Sequence, residues 1–191
     1  AKMILGQKAP KVITTLHGTD ITLVGNDRSY LPITRFTITE SDGITAPSKY
    51  LRAATYDKLN VSTKSNIEII GNFVDLVKFA PAAGRDQNQV NRMLGACPSS
   101  ERIITHVSNF RPVKRLSDVI NVFAEVRKQI PCHLVLVGDG PERSRIENLV
   151  HEMNLTKSVC FMGKLQDFTE ILQCSDLFLL PSETESFGLA A

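Results

Sequence analysis

From Arg102 to Leu180 the chain alternates short apolar runs with amphipathic stretches, and that alternation constrains the fold more than any other feature. Arg102 to Val107 (RIITHV) reads as a strand. Within 115–129, Leu116, Val119, Ile120, Phe123 and Val126 recur at three- and four-residue spacing, which predicts a helix with one buried stripe. His133 to Val137 (HLVLV) is the next strand and ends in Gly138-Asp139-Gly140. Pro141 suits a first helical position and Glu142 a first turn, and Ile146, Leu149, Val150 and Met153 continue that helix. Val159 to Met162 predicts a short strand before Gly163. Phe168, Ile171 and Leu172 mark a small helix, and Leu177 to Leu180 a fourth strand. Apolar strands joined by helices predict a parallel sheet covered on both faces, in the α/β class.

The first half keeps the same rhythm more faintly. Strands are expected at Val12 to Leu16, Gly43 to Ala46 and Ile67 to Ile70, with helices near 32–41 and 48–59. No opening strand is legible, so 1–75 reads as the back end of an α/β domain. Between Phe79 and Ser100 the run PAAGRDQNQVNRMLGACPSS is rich in Pro, Gly, Ala and polar residues. Apart from a short helix over Gln87 to Leu94 it reads as linker. The expected organisation is 1–75, a linker at 76–100, and 101–191, without a repeat of fixed short period.

Charge separates the halves. Residues 1–97 carry 12 basic and 8 acidic side chains, and 98–191 carry 10 and 12. The overall +2 excludes a polybasic nucleic-acid arm or an acidic tail as the main function, so no nucleic-acid partner is expected. Cys97, Cys132, Cys160 and Cys174 lie far apart and form no CxxC. That spacing favours free thiols in a reducing cytoplasm over a zinc site or a disulfide scaffold. His17, His106, His133 and His151 show neither HxxxH nor HExxH, so no metal site is expected. No apolar run approaches the ~18 residues of a membrane span. The opening AKMILGQKAPK has too short an apolar stretch for a signal peptide.

In open α/β sheets ligands lie beyond the carboxyl ends of the strands. Polar residues and glycines gather at those ends here: His17-Gly18-Thr19-Asp20, Asn72, Asn109 with Arg111, Lys114 and Arg115, Gly138-Asp139-Gly140, Gly163-Lys164, and Glu183, Glu185 and Gly188. Six such ends on one edge point to a large polar ligand. Each also has a plainer reading. His17 is equally a loop histidine, and Thr19 or Asp20 equally a helix cap. Arg111, Lys114 and Arg115 are equally a solvated helix start, although cations there oppose the helix dipole unless an anion is bound. Glu183 and Glu185 are equally loop carboxylates. GxGxxG, GxxxxGK[ST] and nucleophile-base pairs are absent.

The segments HGTD (17–20), TAPSKYL (45–51), IGNFVDLVKF (70–79), SNFRPVKR (108–115), LVGDGPE (136–142), FMGK (161–164) and PSETESFGLAA (181–191) together resemble the retaining glycosyltransferases of family 4. That family has the two-domain GT-B architecture of Rossmann-like parallel sheets, both incomplete in this sequence. Within it the likeness runs furthest towards members that transfer N-acetylglucosamine from UDP-N-acetylglucosamine to the hydroxyl of L-malate in bacillithiol synthesis. The resemblance implies metal-independent transfer, no cofactor, a nucleotide-sugar donor held by the second domain and an acceptor held by the first. It also leaves room for a homodimer of the full-length enzyme.

By the same resemblance His17, Lys114 and Glu185 are the catalytic candidates. Lys114 contacts the diphosphate, His17 orients the reacting end of the sugar, and Glu185 accepts hydrogen bonds from its hydroxyls. Thr19, Asp20, Asn72, Asn109, Arg111, Gly163, Lys164, Ser186, Phe187 and Gly188 are the candidate binding residues, with Gly163 and Lys164 beside the uracil. The family commonly has an arginine where this chain has Asn109, and Arg111 stands two residues further on. The partner of Glu185 in the family's E-x7-E pair is expected past Ala191. A glycine-rich loop is expected before residue 1, so this sequence reads as the middle of an enzyme about twice as long and as inactive by itself. Another family 4 transferase, a non-catalytic nucleotide-binding module and a flavodoxin-like domain are the alternatives.

Overall fold

A computed structural model describes residues 2–18, 21, 27–80, 82, 84, 86–95, 100–185, 187, 188 and 190. The chain forms two compact units, Ala1–Phe73 with Glu185–Leu189, and Val74–Thr184 with Ala190–Ala191.

The first unit is a three-stranded parallel sheet. Its strands are β1 (Ile13–Thr15), β2 (Gly43–Ala46) and β3 (Ile67–Ile69), in that spatial order. Helices α2 (Leu31–Thr39) and α3 (Lys49–Leu59) connect them. Ser48 caps α3 by accepting from the Leu51 amide at 3.1 Å, and Asn60 ends it in the left-handed region. One cluster of Leu16, Ile38, Ile44, Ala46, Leu51, Leu59 and Ile67 forms the core. A short helix α1 (Lys2–Leu5) and a 3-10 turn (Gly6–Lys8) precede β1, where the sequence predicted no element.

The second unit is a four-stranded sheet, also parallel throughout. Its strands are β4 (Arg102–Val107), β5 (Cys132–Val137), β6 (Val159–Gly163) and β7 (Leu177–Phe178), in the order β6-β5-β4-β7. Both faces are covered, as the continuous apolar strands require. On one face Ile104, Leu134 and Leu136 meet Phe123 of α5 (Leu116–Arg127) and Ile146 of α6 (Arg143–Glu152). On the other, Ile103, Val107, Val135 and Val137 meet Ile171 of α7 (Thr169–Cys174) and Val90 of α4 (Gln87–Leu94).

The short helix read over Gln87 to Leu94 is α4: Asp86 caps it through the Asn88 and Gln89 amides, and Val90 is fully buried in the second unit. Two local readings change. The fourth strand pairs only over Leu177–Phe178. Beyond it the Leu179 carbonyl turns to His106, and Pro181 has no N–H to give. The helix predicted from 115 begins at Leu116, because Arg115 adopts φ +53° between it and a 3-10 turn at Pro112–Lys114.

Candidate functional site

Strand order reverses at β4. The chain runs outward through β5 and β6, then returns to place β7 on the other side of β4. Such a reversal opens a crevice at the carboxyl ends of the two strands, where the flanking loops diverge. The loops here are knit by main-chain hydrogen bonds. Ser108 N donates to Val137 O at 3.0 Å, Gly138 N to Gly163 O at 2.8 Å, Glu142 N to Phe110 O at 3.0 Å, and Glu183 N to Val113 O at 2.9 Å.

The packing of this edge demands glycine. A Cβ on Gly138, at φ +125°, would fall 1.8 Å from Ser108 O, and one on Gly140 would fall 2.4 Å from Asn109 O. The 138–140 turn therefore lies directly against the 108–110 loop. Phe110 is fully buried at φ +31°, a backbone region a bulky residue rarely adopts. Its ring holds the loop down while Asn109 and Arg111 on either side stay exposed.

Five expected site residues belong to this edge. Asn109 and Arg111 lie in the β4 exit, half-buried Lys114 sits on the 3-10 turn, and Gly163 (φ +68°) and exposed Lys164 close β6. Arg115, read with them from sequence, has another commitment. It pairs with Asp118, and that bond, with the charges of Asp118 and Glu183, raises its pKa. A cleft of about 250 Å³ beside it is lined by Arg115, Asp118, Glu142, Arg145 and Glu183. Its cations are matched by carboxylates, a poor setting for a phosphate.

The sequence reading passed over three further polar groups. Arg143 stacks over the Phe161 ring at 5.6 Å and bonds Glu147 at 2.8 Å. His106 and Ser108 are joined at 2.8 Å beneath the loop. A histidine inside an otherwise apolar strand was the available signal for the last pair.

The other expected residues fall in the first unit. His17 follows β1 and is exposed, and Gly18 (φ +118°) accepts from the Ile21 amide at 2.9 Å. Thr19, Asp20 and Ser186 lie outside the described residues. Asn72 is half-buried after β3. Glu185 is half-buried, Phe187 is exposed, and a Cβ on Gly188 (φ +81°) would meet nothing within 4 Å. A concavity of about 980 Å³ opens over the sheet between Ile13, Thr45, Glu68 and Phe73, with Ile38 and Thr39 of α2 at its edge. It includes Asn72 but spans the whole face, so its size is a weaker guide than the switch-point geometry.

Among the described residues no group of three or more His, Cys, Asp or Glu is placed to hold a metal ion. No helix among them is long and apolar enough to cross a membrane. Cys132 and Cys174 are buried and Cys160 is half-buried, and burial pushes the Cys132 and Cys160 thiols up. Cys97 lies outside the described residues.

Known proteins sharpen this picture. The sequence profile of the glycosyl transferases group 1 family matches residues 92–191, more than half of the chain. N-acetyl-alpha-D-glucosaminyl L-malate synthase of Bacillus anthracis is 42% identical over 189 residues, covering 99% of this chain and 48% of that protein. A D-inositol 3-phosphate glycosyltransferase of Salinispora arenicola is 28% identical over 169 residues, covering 81% of this chain and 37% of its own length. The chain thus spans about half the length of the curated relatives it matches, or less. Among solved structures, Anabaena Alr3699/HepE in complex with UDP and glucose superposes with a TM-score of 0.79. It is 17% identical, with 96% of this chain and 48% of that one covered, a likeness of fold. The parallel two-sheet architecture is that of the GT-B glycosyltransferases. By its profile match and its fold, this chain belongs to the group 1 glycosyltransferases.

Proposed function

We propose that the protein carries part of a retaining, metal-independent family 4 transferase that moves N-acetylglucosamine from UDP-N-acetylglucosamine to the hydroxyl of L-malate. The observation that carries the substrates is the 42% identity to the malate synthase over almost the whole chain. The switch-point crevice, with Asn109, Arg111 and Lys114 at its rim, supports a nucleotide diphosphate as the donor's anchor.

Bond breaking at the anomeric carbon leaves growing negative charge on the departing diphosphate. Lys114 and Arg111 stabilise that charge, and they speed the reaction to the extent that they bind it more tightly in the transition state. Backbone groups near Gly188 add donors, with Ser186 and Phe187 beside them. Asn109 contributes a neutral contact at the position where the family commonly has an arginine. Gly163 and Lys164 border the uracil. His17 orients the sugar, Glu185 accepts from its hydroxyls, and Thr19, Asp20 and Asn72 contribute to substrate binding. The leaving phosphate oxygen takes the acceptor's proton, so no side-chain base is needed. A cytoplasmic setting suits a cysteine spacing that forms no CxxC.

The test is product analysis. The full-length enzyme, of which this chain is expected to be an inactive part by itself, is purified and given UDP-N-acetylglucosamine with L-malate, and in parallel with D-inositol 3-phosphate. N-acetylglucosaminyl-malate and UDP are expected. An inositol product would transfer the reading to another acceptor class. UDP binding without any product would leave a nucleotide-binding module.

A further inference from the structure

We propose that His106 is a positioning residue that sets the loop 108–115 at the switch point; the inference rests on reading that edge as the nucleotide site. His106 sits on β4 at 0% exposure, on the face packed by α5 and α6. An apolar side chain would fill a strand position like this without needing any hydrogen bond. A buried imidazole is tolerated only when its nitrogens are paired. Both are. Nδ1 lies 2.8 Å from Leu179 O, and Nε2 lies 2.8 Å from Ser108 Oγ.

The partners fix the tautomer. A carbonyl only accepts, so Nδ1 carries the proton and donates to Leu179. Nε2 is then the acceptor, and the Ser108 hydroxyl donates to it. The ring thereby joins the exits of β4 and β7, the two strands that flank the crevice. Main-chain bonds already run between those strands, with Leu179 N donating to Thr105 O at 2.9 Å and Glu183 N to Val113 O at 2.9 Å. His106 supplies the side-chain tie between these two points. Its serine partner is also the residue whose carbonyl abuts Gly138 and whose amide donates to Val137 O. Ser108 is thus held on three sides immediately before Asn109, Arg111 and Lys114. Without the imidazole its hydroxyl is released and the loop loses its anchor to β7, while the apolar packing around it remains.

Three measurements on the purified full-length enzyme test this: UDP affinity by calorimetry, thermal unfolding, and amide exchange of residues 109–115. The variants are Ser108→Ala, Ser108→Thr, His106→Leu and His106→Asn. Ser108→Ala and His106→Leu are expected to weaken UDP binding about tenfold and to speed exchange at 109–115 selectively, with the α5 and β5 amides unchanged. Ser108→Thr keeps the hydroxyl and is expected to bind within twofold of the parent. His106→Asn presents a single donor to Leu179 and is expected to fall between. If Ser108→Ala and His106→Leu both bind UDP within twofold of the parent, the role is overturned. It is also overturned if exchange rises uniformly across the unit, since His106 is then only a stability element. If the parent itself does not bind UDP, the nucleotide reading fails. Selective loosening of 109–115 would still support the positioning role, and unchanged exchange there would end it.

Discussion

In the second unit, β4 buries Ile103 and Val107 against α4 and α7 and turns Ile104 towards α5 and α6. In the first unit, β2 buries Ile44 and Ala46 on one side, while Gly43 and Thr45 line an open concavity on the other. Both sheets are parallel, yet one is covered twice and the other once among the described residues. The difference is written in the strands. CHLVLV is nearly continuous in apolar residues and RIITHV buries even its Thr105 and His106, whereas ITT, GITA and IEI bury at most alternate positions. A strand buried on both faces has no position left for solvent, and the glycines of the turn that follows β5 are hemmed in by neighbouring backbone.

That contrast predicts opposite signs for one substitution. Gly138→Ala places a Cβ against the Ser108 carbonyl at a φ that L-residues avoid. It is expected to destabilise the second unit by about 4 kcal/mol, combining backbone strain with overpacking. Gly43→Ala meets the Ile13 side chain, Cγ1 at 3.6 Å and Cγ2 at 3.9 Å, both ordinary contacts, with no positive φ. It is expected to be neutral or to stabilise by up to about 0.5–1 kcal/mol, since glycine in a strand costs backbone entropy. Denaturant titration of the two variants decides it, and equal losses would break the comparison.

Lys114→Ala probes the chemistry assigned to the better-packed unit. In the full-length enzyme it is expected to reduce turnover about 100–1000-fold, roughly 3 kcal/mol in the barrier. Its melting temperature should stay near the parent's, because the side chain is only half-buried on a 3-10 turn. Activity within threefold of the parent would remove Lys114 from the diphosphate. Smaller still is the effect expected at the second covering layer. Val90→Ala, fully buried, should cost about 2 kcal/mol. Ile33→Ala, 63% exposed on α2, should lie within about 0.5 kcal/mol.

The same contrast explains what could be read from the sequence. The four strands of the second sheet and their parallel sense followed from apolar runs and helical spacing. Leu177 to Leu180 was read two residues too long because sequence shows composition, not where a carbonyl is diverted to a histidine. Val90 was hidden in a Pro- and Gly-rich run, where one apolar residue carries no period. At the site, Asn109, Arg111, Lys114, Gly163 and Lys164 came from strand ends plus resemblance. Arg115 was grouped with them because sequence does not reveal that Asp118 takes it. His106 lay inside a strand, where the strand-end rule does not look. Ser108 mattered only once that histidine's ring was placed.

The smallest effect separates the units by how each holds an acidic group. Asp42 of the first unit has its pKa held well below the usual carboxylate range, chiefly by Lys2, then by the Val12 amide and Lys11. Asp167 of the second unit is held low first by the Thr169 hydroxyl and amide, and then by Lys78. Both carboxyls are exposed. A depressed folded-state pKa means that each contributes stability while ionised. That contribution is present above the unfolded-state value of about 3.9 and declines as pH falls below it towards the folded value. The first unit should therefore loosen on acidification where Asp42 ties residues 2, 11 and 12 together, with exchange of the Val12 amide rising first. Salt distinguishes the causes, because an exposed ion pair is screened whereas a short hydrogen bond to a hydroxyl is screened far less. Raising salt to about 1 M, where the Debye length is about 3 Å, should weaken the Asp42 ties. It should leave the Asp167 turn near its low-salt protection. Asp42→Asn should abolish the acid response of the Val12 amide and leave that of Thr169 unchanged. Equal salt sensitivity at the two turns would show that both rest on the lysines alone.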